Sequence, residues 1–339
     1  MGVSRFAAGA ERQLRQIVGE GFSSFKVFLA YEGAFDVSDR ELYHTLRLAR
    51  ELGVIVTAHT ENAVLVSQRQ AELVAAGHTG TEYHEPSRPT RVEAEGVQHL
   101  MTFAELTGAR VYIVHLSCEE ALQAALAARA RGVDVWIETL IQYLVLDKSY
   151  AELPNFEGAK YVMSPPLRDR RNQPILWNGL RSGQISTLAT DHAPFDFATQ
   201  KPMGRGDFTK IPNGIPSLED RINLLYTHGV CGGQLELHRM VEVASTNAAK
   251  LFGLFPRKGT IQVGADADLV VYDPDYRGTI SAKTHHLAVD YSAFEGWAIT
   301  GRPHVVTVRG RIQARDGVFV GEPARGRLLR RATHPRNTG

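Results

Sequence analysis

The sequence predicts an α/β protein with a parallel sheet in its larger part and a small antiparallel β module near its end. Over the first two thirds, short continuous apolar runs alternate with stretches of helical periodicity. Such strands are apolar on both faces, which is typical of a parallel sheet covered by helices on each side. Near residue 258 the pattern changes to short strands separated by turns. A length of 339 residues is sufficient for one large and one smaller domain.

The elements of the larger part follow in chain order. A helix is predicted near 11–19 and a buried strand at 24–31. Ser38 then caps a helix that ends at Gly53. Further strands are predicted at 54–58, 110–114, 133–138 and 185–190, and further helices at 63–76, 92–107 and 119–131, with a loop-rich stretch between residues 138 and 185.

The β module is predicted from five short strands, at 259–263, 268–272, 304–309, 311–314 and 318–320. The domains are therefore expected at 1–257 for the α/β part and 258–321 for the β module. Residues 322–339 form a basic tail containing five arginines. We expect this tail to be disordered, as chain termini commonly are, with docking on a partner subunit as the alternative.

Composition excludes several classes of protein. The formal net charge of +1 gives no strong field for nucleic acid or a membrane surface. No apolar run approaches the ~20 residues of a membrane-spanning helix. Cys118 and Cys231 are the two cysteines, and they form no disulfide framework. We therefore predict a cytoplasmic protein without a nucleic-acid or membrane partner.

Four polar residues lie in or directly after predicted strands. Lys26 lies within the first strand, while His59, His115 and Asp191 each follow a later one. Taken alone, the lysine is better explained by a snorkelling or ion-paired side chain, and each histidine by a structural role. In a parallel barrel, however, these strand ends meet at one mouth. Two histidines and an aspartate there are a conventional ligand set for zinc or a similar divalent ion.

The lysine fits this interpretation chemically. Desolvation and nearby cations lower the pKa of an amine and favour its neutral form. A neutral amine adds carbon dioxide to give a carbamate, an anionic oxygen ligand able to bridge two metal ions. Water held between such ions ionises near neutral pH and supplies hydroxide as the nucleophile.

At this point the sequence resembles the dihydropyrimidinase/D-hydantoinase branch of the amidohydrolase superfamily. The matching motifs follow the family order between about residues 24 and 310. They are SFKVFLAY at 24–31, AHTEN at 58–62, YHEPSRP at 83–89, VHLS at 114–117, ETLIQYL at 138–144, SPPLR at 164–168, TDHAPF at 190–195, NGIPSLEDR at 213–221, GTIQVGADADLVVY at 259–272 and FEGWAITGRP at 294–303.

The resemblance implies a role for each candidate residue. Lys26 would be the carboxylated lysine that bridges two divalent ions, expected to be zinc, with manganese or cobalt as alternatives. His59 and His115 would hold one ion, and Asp191 would bind the other and carry the proton to the leaving nitrogen. Tyr31 would donate a hydrogen bond to the developing oxyanion, with a core aromatic as the structural alternative. The main chain at two further residues would read the ring imide, with turn chemistry as the alternative; these are Ser164 and Asn213.

The function implied is metal-dependent hydrolysis of a cyclic amide C–N bond, in a dihydropyrimidine or a 5-substituted hydantoin. The substrate is then a small molecule, and the family suggests a homotetramer. Two alternatives stay open: an allantoinase- or dihydroorotase-like cyclic amidase, and a non-catalytic assembly protein with the same fold.

The sequence departs from the family pattern at its start. The family supplies two further ligands from a His-x-His motif, but no histidine precedes His44 here. Only five barrel strands are predicted, whereas a closed barrel has eight. The fold class expected is therefore an incomplete TIM-type (β/α)8 barrel lacking its first strands, plus a small β-sandwich-type module. Two explanations compete: part of a longer enzyme, or a short homologue with an open sheet edge. For the polypeptide as printed we expect at most one tightly bound metal ion and little hydrolase activity.

Overall fold

A computed structural model describes residues 2–4, 6 and 9–334. Five parallel strands form the larger sheet, and each pairs with the next one along the chain. Their register places Lys26 opposite Thr57 and Phe28 opposite His59. The strands are β1 (Ser24–Phe28), β2 (Ile55–His59), β3 (Val111–Ile113), β4 (Val135–Leu140) and β5 (Thr187–Ala189). This confirms the predicted parallel sheet.

Helices connect these strands. Ser38 begins α2 with a capping box, in which its side chain accepts from the Glu41 main chain, and Gly53 ends that helix in the left-handed conformation. The α-helices are α1 (Ala10–Gly19), α2 (Asp39–Leu52), α3 (Ala63–Ala75), α4 (His84–Ser87), α5 (Thr90–Thr107), α6 (Glu119–Ala130), α7 (Ile141–Val145), α8 (Gln173–Ser182), α9 (Arg221–Leu224), α10 (Leu237–Val241) and α11 (Asn247–Leu251). Two π-helical segments, Leu225–Cys231 and Glu242–Thr246, continue α9 and α10. No described helix is long and apolar enough to cross a membrane.

The core lies between the sheet and its helices. Strand residues such as Phe25, Val56 and Ile113 are fully buried, and they belong to one cluster with Leu46 of α2 and Leu100 of α5. Burying side chains of this size is worth roughly 1.5–3 kcal/mol each before the entropy cost of ordering them. The strands are therefore held rigidly, and their carboxyl ends form a fixed frame for polar residues.

The β module contains one four-stranded antiparallel sheet in the described residues. Its strands are β6 (Val270–Thr279), β7 (Ala298–Val308), β8 (Arg311–Arg315) and β9 (Val318–Phe319). The strand predicted at 259–263 is wrong, because that segment forms turns in which Ile261 and Val263 are exposed. The described residues include no second layer of the sandwich-type module that we expected.

The loop-rich stretch contains a helix that the sequence analysis missed. Gly179 of α8 packs so closely on Ile185 that a Cβ would lie 2.7 Å from the Ile185 Cδ1 atom. Leu176, Trp177 and Leu180 form its buried face. Pro174 is compatible with this helix because it lies in the first turn, where proline is tolerated.

The basic tail makes main-chain contacts where it is described. Arg331 N donates to Gly21 O (2.9 Å), Ala332 N to Gly253 O (3.1 Å) and His334 N to Gly53 O (2.8 Å). Residues 331–334 thus differ from the disordered end that composition predicted, because glycines at these sites let main chain approach main chain. Residues 335–339 lie outside the described residues, and the domain boundaries stay predictions.

Candidate metal centre

The predicted site residues meet at the carboxyl ends of the strands. Lys26 lies on β1, His59 ends β2, and His115 and Asp191 follow β3 and β5 by two residues. Tyr31, His115 and Asp191 have φ angles of 68°, 45° and 44°. Positive φ is unfavourable for residues other than glycine, and such strain concentrates at functional sites. The chain therefore turns sharply at Tyr31, His115 and Asp191.

The two histidines face each other. Their ring centroids are 4.6 Å apart with an interplanar angle of 69°. Both rings are buried. Burial lowers the pKa of His115 well below its usual value, and the neighbouring His59 and Lys26 oppose its protonation further. Burial also lowers the pKa of His59. Both imidazoles are therefore neutral at physiological pH, the form that ligates metal ions.

A buried ion pair orients His59. The Nε2 atom of His59 donates to Glu61 Oε2 (2.8 Å), and Arg88 Nη1 donates to the same oxygen (2.7 Å). Burial alone would raise the pKa of Glu61, but Arg88 and His59 outweigh it and lower that pKa to about 2. Because Nε2 is engaged by Glu61, Nδ1 is the ring nitrogen left to face the site. A carboxylate behind a metal-ligating histidine commonly fixes its ring and tautomer.

Lys26 lies among charged groups without a close ion-pair partner in the described part of the chain. Burial lowers the pKa of its amine to about 8, against the opposing charges of Asp191 and Glu138. Its Nζ atom is 4.9 Å from the centroid of the Phe28 ring. Glu138 meanwhile accepts from the His115 main chain (3.1 Å) and from the Tyr112 hydroxyl. The amine is thus closer to its neutral form than a surface lysine.

Asp191 is the most accessible member of the site. Its side chain is exposed to solvent at the mouth, although surrounding protein raises its pKa, with Lys26 and His59 opposing that effect. Water therefore reaches the carboxylate. An accessible carboxylate beside the histidines can exchange protons with a bound molecule.

The structure also brings together Tyr31, Ser164 and Asn213. Ser164 Oγ donates to Asn213 Oδ1 (3.1 Å). Burial raises the pKa of the Tyr31 phenol, while Arg88 and a hydrogen bond with the Ser164 side chain oppose that rise. The Tyr31 ring lies 5.2 Å from the His59 ring. The phenol is therefore a neutral donor next to the histidine pair.

These residues fit a metal ion only with Lys26 as a contributor. No three His, Cys, Asp or Glu side chains in residues 2–4, 6 and 9–334 converge on a common metal position. The Nδ1 atom of His115 is buried without a partner among the described atoms, which shows an unmet polar requirement beside the site. A carbamate on Lys26 would add the oxygen ligand that two histidines lack, so the donor set is compatible with a divalent ion.

Several residues around the site were not predicted as functional. Glu61 and Arg88 lie within the AHTEN and YHEPSRP motifs, but spacing could not reveal that they pair. His192 is held by main-chain amides, since its Nδ1 accepts from Ser217 N (3.1 Å) and Leu218 N (3.2 Å). His84 Nε2 contacts Met163 O at 2.7 Å. Both of these histidines support loops.

The chain is similar to known proteins over most of its length. The sequence matches the amidohydrolase family over residues 8–313. The D-hydantoinase of Geobacillus stearothermophilus is 50% identical over 315 residues, which cover 93% of this chain and 67% of that protein.

Solved structures of hydantoinases also superpose closely on this chain. A D-hydantoinase (dihydropyrimidinase) from Thermus sp. superposes with a TM-score of 0.96 at 62% identity, covering 98% of this chain and 72% of the other. An L-hydantoinase (dihydropyrimidinase) from Arthrobacter aurescens superposes with a TM-score of 0.85 at 32% identity, covering 93% and 69%. Given this similarity in sequence and fold, the chain belongs to the amidohydrolase family, in its D-hydantoinase/dihydropyrimidinase branch.

Proposed function

We propose that this protein hydrolyses a ring C–N bond of a small cyclic amide, a 5-substituted hydantoin or a dihydropyrimidine. The observation that carries the proposal is the convergence of Lys26, His59, His115 and Asp191 at one mouth, in a chain related to hydantoinases. In this reaction the oxygen of water adds to a ring carbonyl carbon and the C–N bond breaks. The nitrogen takes the proton, leaving a ureido acid.

We further propose that Lys26, as its carbamate, holds a divalent ion together with His59 and His115. A divalent ion held there would lower the pKa of a water molecule to near neutral and so would supply hydroxide as the nucleophile. Zinc suits these ligands, and manganese or cobalt are alternatives. Asp191 takes the proton from the attacking water and returns it to the leaving nitrogen; its exposure at the mouth supports this role.

The remaining residues bind the ring and its developing charge. Tyr31 donates to the oxyanion, a contribution typically worth ~2.7–4 kcal/mol for one such donor. Ser164 and Asn213 read the ring imide, supported by their mutual hydrogen bond (3.1 Å) beside the phenol. All three would act on the reacting ring rather than on the metal.

The finer architecture is also part of the proposal. We propose that the five parallel strands belong to a TIM-type barrel and that the small sheet belongs to a sandwich-type module, which the superposition with the Thermus sp. structure supports. The family resemblance suggests a homotetramer. The two unpaired cysteines suit the cytoplasm.

A ring-opening assay tests the function. Dihydrouracil and a 5-substituted hydantoin are compared with allantoin and dihydroorotate, using the zinc-loaded 339-residue protein and Asp191→Asn. We expect slow turnover of the first two rings and none in the variant. Preferred opening of allantoin or dihydroorotate would instead favour the other cyclic amidases, and no turnover of any ring by metal-loaded protein would favour an assembly role.

A further inference from the structure

Lys201 is a fully buried lysine that the chemistry above does not use. It begins the short 3-10 helix Lys201–Gly204 and has no exposed surface. No carboxylate forms an ion pair with it among the described residues. A buried and unpaired ammonium is unusual, so its surroundings must compensate the charge in another way.

Three main-chain carbonyls surround its amine. Nζ donates to Val162 O (3.2 Å), Pro212 O (2.7 Å) and Gly214 O (2.9 Å). An ammonium group has three protons to donate, and each has an acceptor here. Burial lowers the pKa of Lys201 to about 7, while the three carbonyl oxygens favour the charged form, which alone can satisfy all of them.

The acceptors lie on both segments that are proposed to read the substrate. Val162 lies two residues before Ser164, while Pro212 and Gly214 flank Asn213. The segments also bond directly, since Gly214 N donates to Val162 O (2.9 Å). Without the lysine, three main-chain carbonyls would lose a hydrogen-bond donor at the point where the segments meet.

The same junction reaches the strand end that carries Asp191. Gly214 packs against Ala193 so closely that a Cβ there would overlap the Ala193 carbonyl. His192 forms an isolated parallel bridge with Ile215. Lys201 therefore bonds to a group of segments that pack against one another, residues 162–164, 191–193 and 212–215.

We propose that Lys201 is a positioning residue for substrate binding, which fixes the spacing between the segments that carry Ser164 and Asn213. It touches neither the metal ligands nor the ring, and acts through the main chain of both segments. This inference rests on the proposed function, because the segments read a substrate only if the protein binds a cyclic imide.

Lys201→Met tests the proposal, because methionine has similar length and no donor. Amide hydrogen exchange is measured in segments 162–165 and 212–214, and KM and kcat are measured for ring opening of a 5-substituted hydantoin. We expect exchange in both segments to accelerate at least roughly tenfold and KM to rise by a similar factor, as for a lost hydrogen bond to a charged group. Metal content and kcat should change little, and Lys201→Arg should restore part of the effect.

Lys210→Met is the matched control. Lys210 lies in the next 3-10 helix and is exposed, and among the described residues its ion pair is with Asp207 (3.0 Å). Exchange in segments 162–165 and 212–214 and the kinetic constants should therefore not change in this variant. If Lys201→Met fails to fold, Lys201→Gln, which keeps two donors, replaces it under the same criteria.

Three results would overturn the proposal. The first is unchanged exchange in both segments. The second is acceleration that extends equally through α5, which would make Lys201 a general stability residue. The third is local loosening with KM within twofold of the unmodified value. Exchange needs no turnover, so a protein that opens no ring would refute the proposed function without obscuring the role of Lys201 in tethering the segments.

Discussion

Glu61 is the residue on which the orientation of His59 depends. Its carboxylate accepts from His59 (2.8 Å) and from Arg88 (2.7 Å) inside the protein, where none of the three side chains is exposed. The Oε1 atom of Glu61 has no further partner among the described atoms, so these two bonds hold the carboxylate. Metal affinity should therefore depend on a residue that never touches the metal.

We expect Glu61→Gln to weaken zinc binding about 10–100-fold, as is usual when the carboxylate behind a ligating histidine is changed. The free energy of unfolding should also fall, by about 3–5 kcal/mol, because Arg88 keeps a buried charge without a counter-ion. Competitive zinc titration and urea unfolding measure these effects.

Glu105→Gln serves as the control for that variant. Glu105 pairs with Arg131 (3.0 Å) on the surface, and such pairs contribute at most about 1 kcal/mol. Zinc affinity in Glu61→Gln equal to that of the control would contradict the orienting role.

At the residue level, the sequence indicated the proposed ligands but not the residues that support them. Lys26, His59, His115 and Asp191 could be found because each lies in or just after an apolar strand. Glu61 and Arg88 could not be paired, because Arg88 directly follows the four-residue helix α4 and nothing local fixes where so short an element packs. Lys201 was missed for a related reason: its partners are main-chain carbonyls, which leave no side-chain pattern.

At the level of elements, helix α5 holds the end of β2 in place. Gly96 of α5 lies so close to the main chain of Thr60 that a Cβ would overlap it. Asn62 Nδ2 also donates to Glu95 Oε2 of this helix (2.6 Å). The helix therefore sets the position of the segment containing His59 and Glu61.

Gly96→Ala should separate α5 from this strand end. We expect the free energy of unfolding to fall by about 1–3 kcal/mol, the usual cost of overpacking, and zinc affinity to fall with it. Thermal unfolding and zinc titration measure both. Gly19→Ala is the control, since Gly19 ends α1 facing open space; equal stability of the two variants would refute the close packing.

Local signals explain which elements could be predicted. The capping residue Ser38 and the stop at Gly53 define α2, because both act within one turn of the helix end. The segment at 259–263 has strand-like composition but finds no strand to pair with among the described residues. Composition alone could not reveal this, because a strand exists only when a neighbour supplies its hydrogen bonds.

At the scale of the whole molecule, the tail joins parts that are distant in sequence. Residues 331–334 bond to the loops before β1 and β2, through Gly21 and Gly53, and to the end of α11 through Gly253. His334 Nε2 also contacts Leu251 O at 2.7 Å. The tail thus ties the amino-terminal ends of the strands to the last helix of the α/β part.

Deleting residues 331–339 should lower the free energy of unfolding by about 3 kcal/mol, roughly 1 kcal/mol for each of three main-chain hydrogen bonds. Urea unfolding measures the change. Deleting 335–339 alone keeps all three bonds and should leave stability near that of the full chain. Equal stability of the two deletions would show that the tail does not hold these loops.

Lys26, His59 and His115 are proposed to hold one divalent ion at neighbouring strand ends. The most direct test is the zinc content of the purified 339-residue protein after dialysis, measured beside Lys26→Met and His115→Ala with folding checked by circular dichroism. We predict about one tightly held ion per unmodified chain and none in either folded variant, because each variant leaves only two of the three proposed protein ligands, fewer than zinc sites use. Two tightly held ions, or zinc retained by Lys26→Met, would contradict the account.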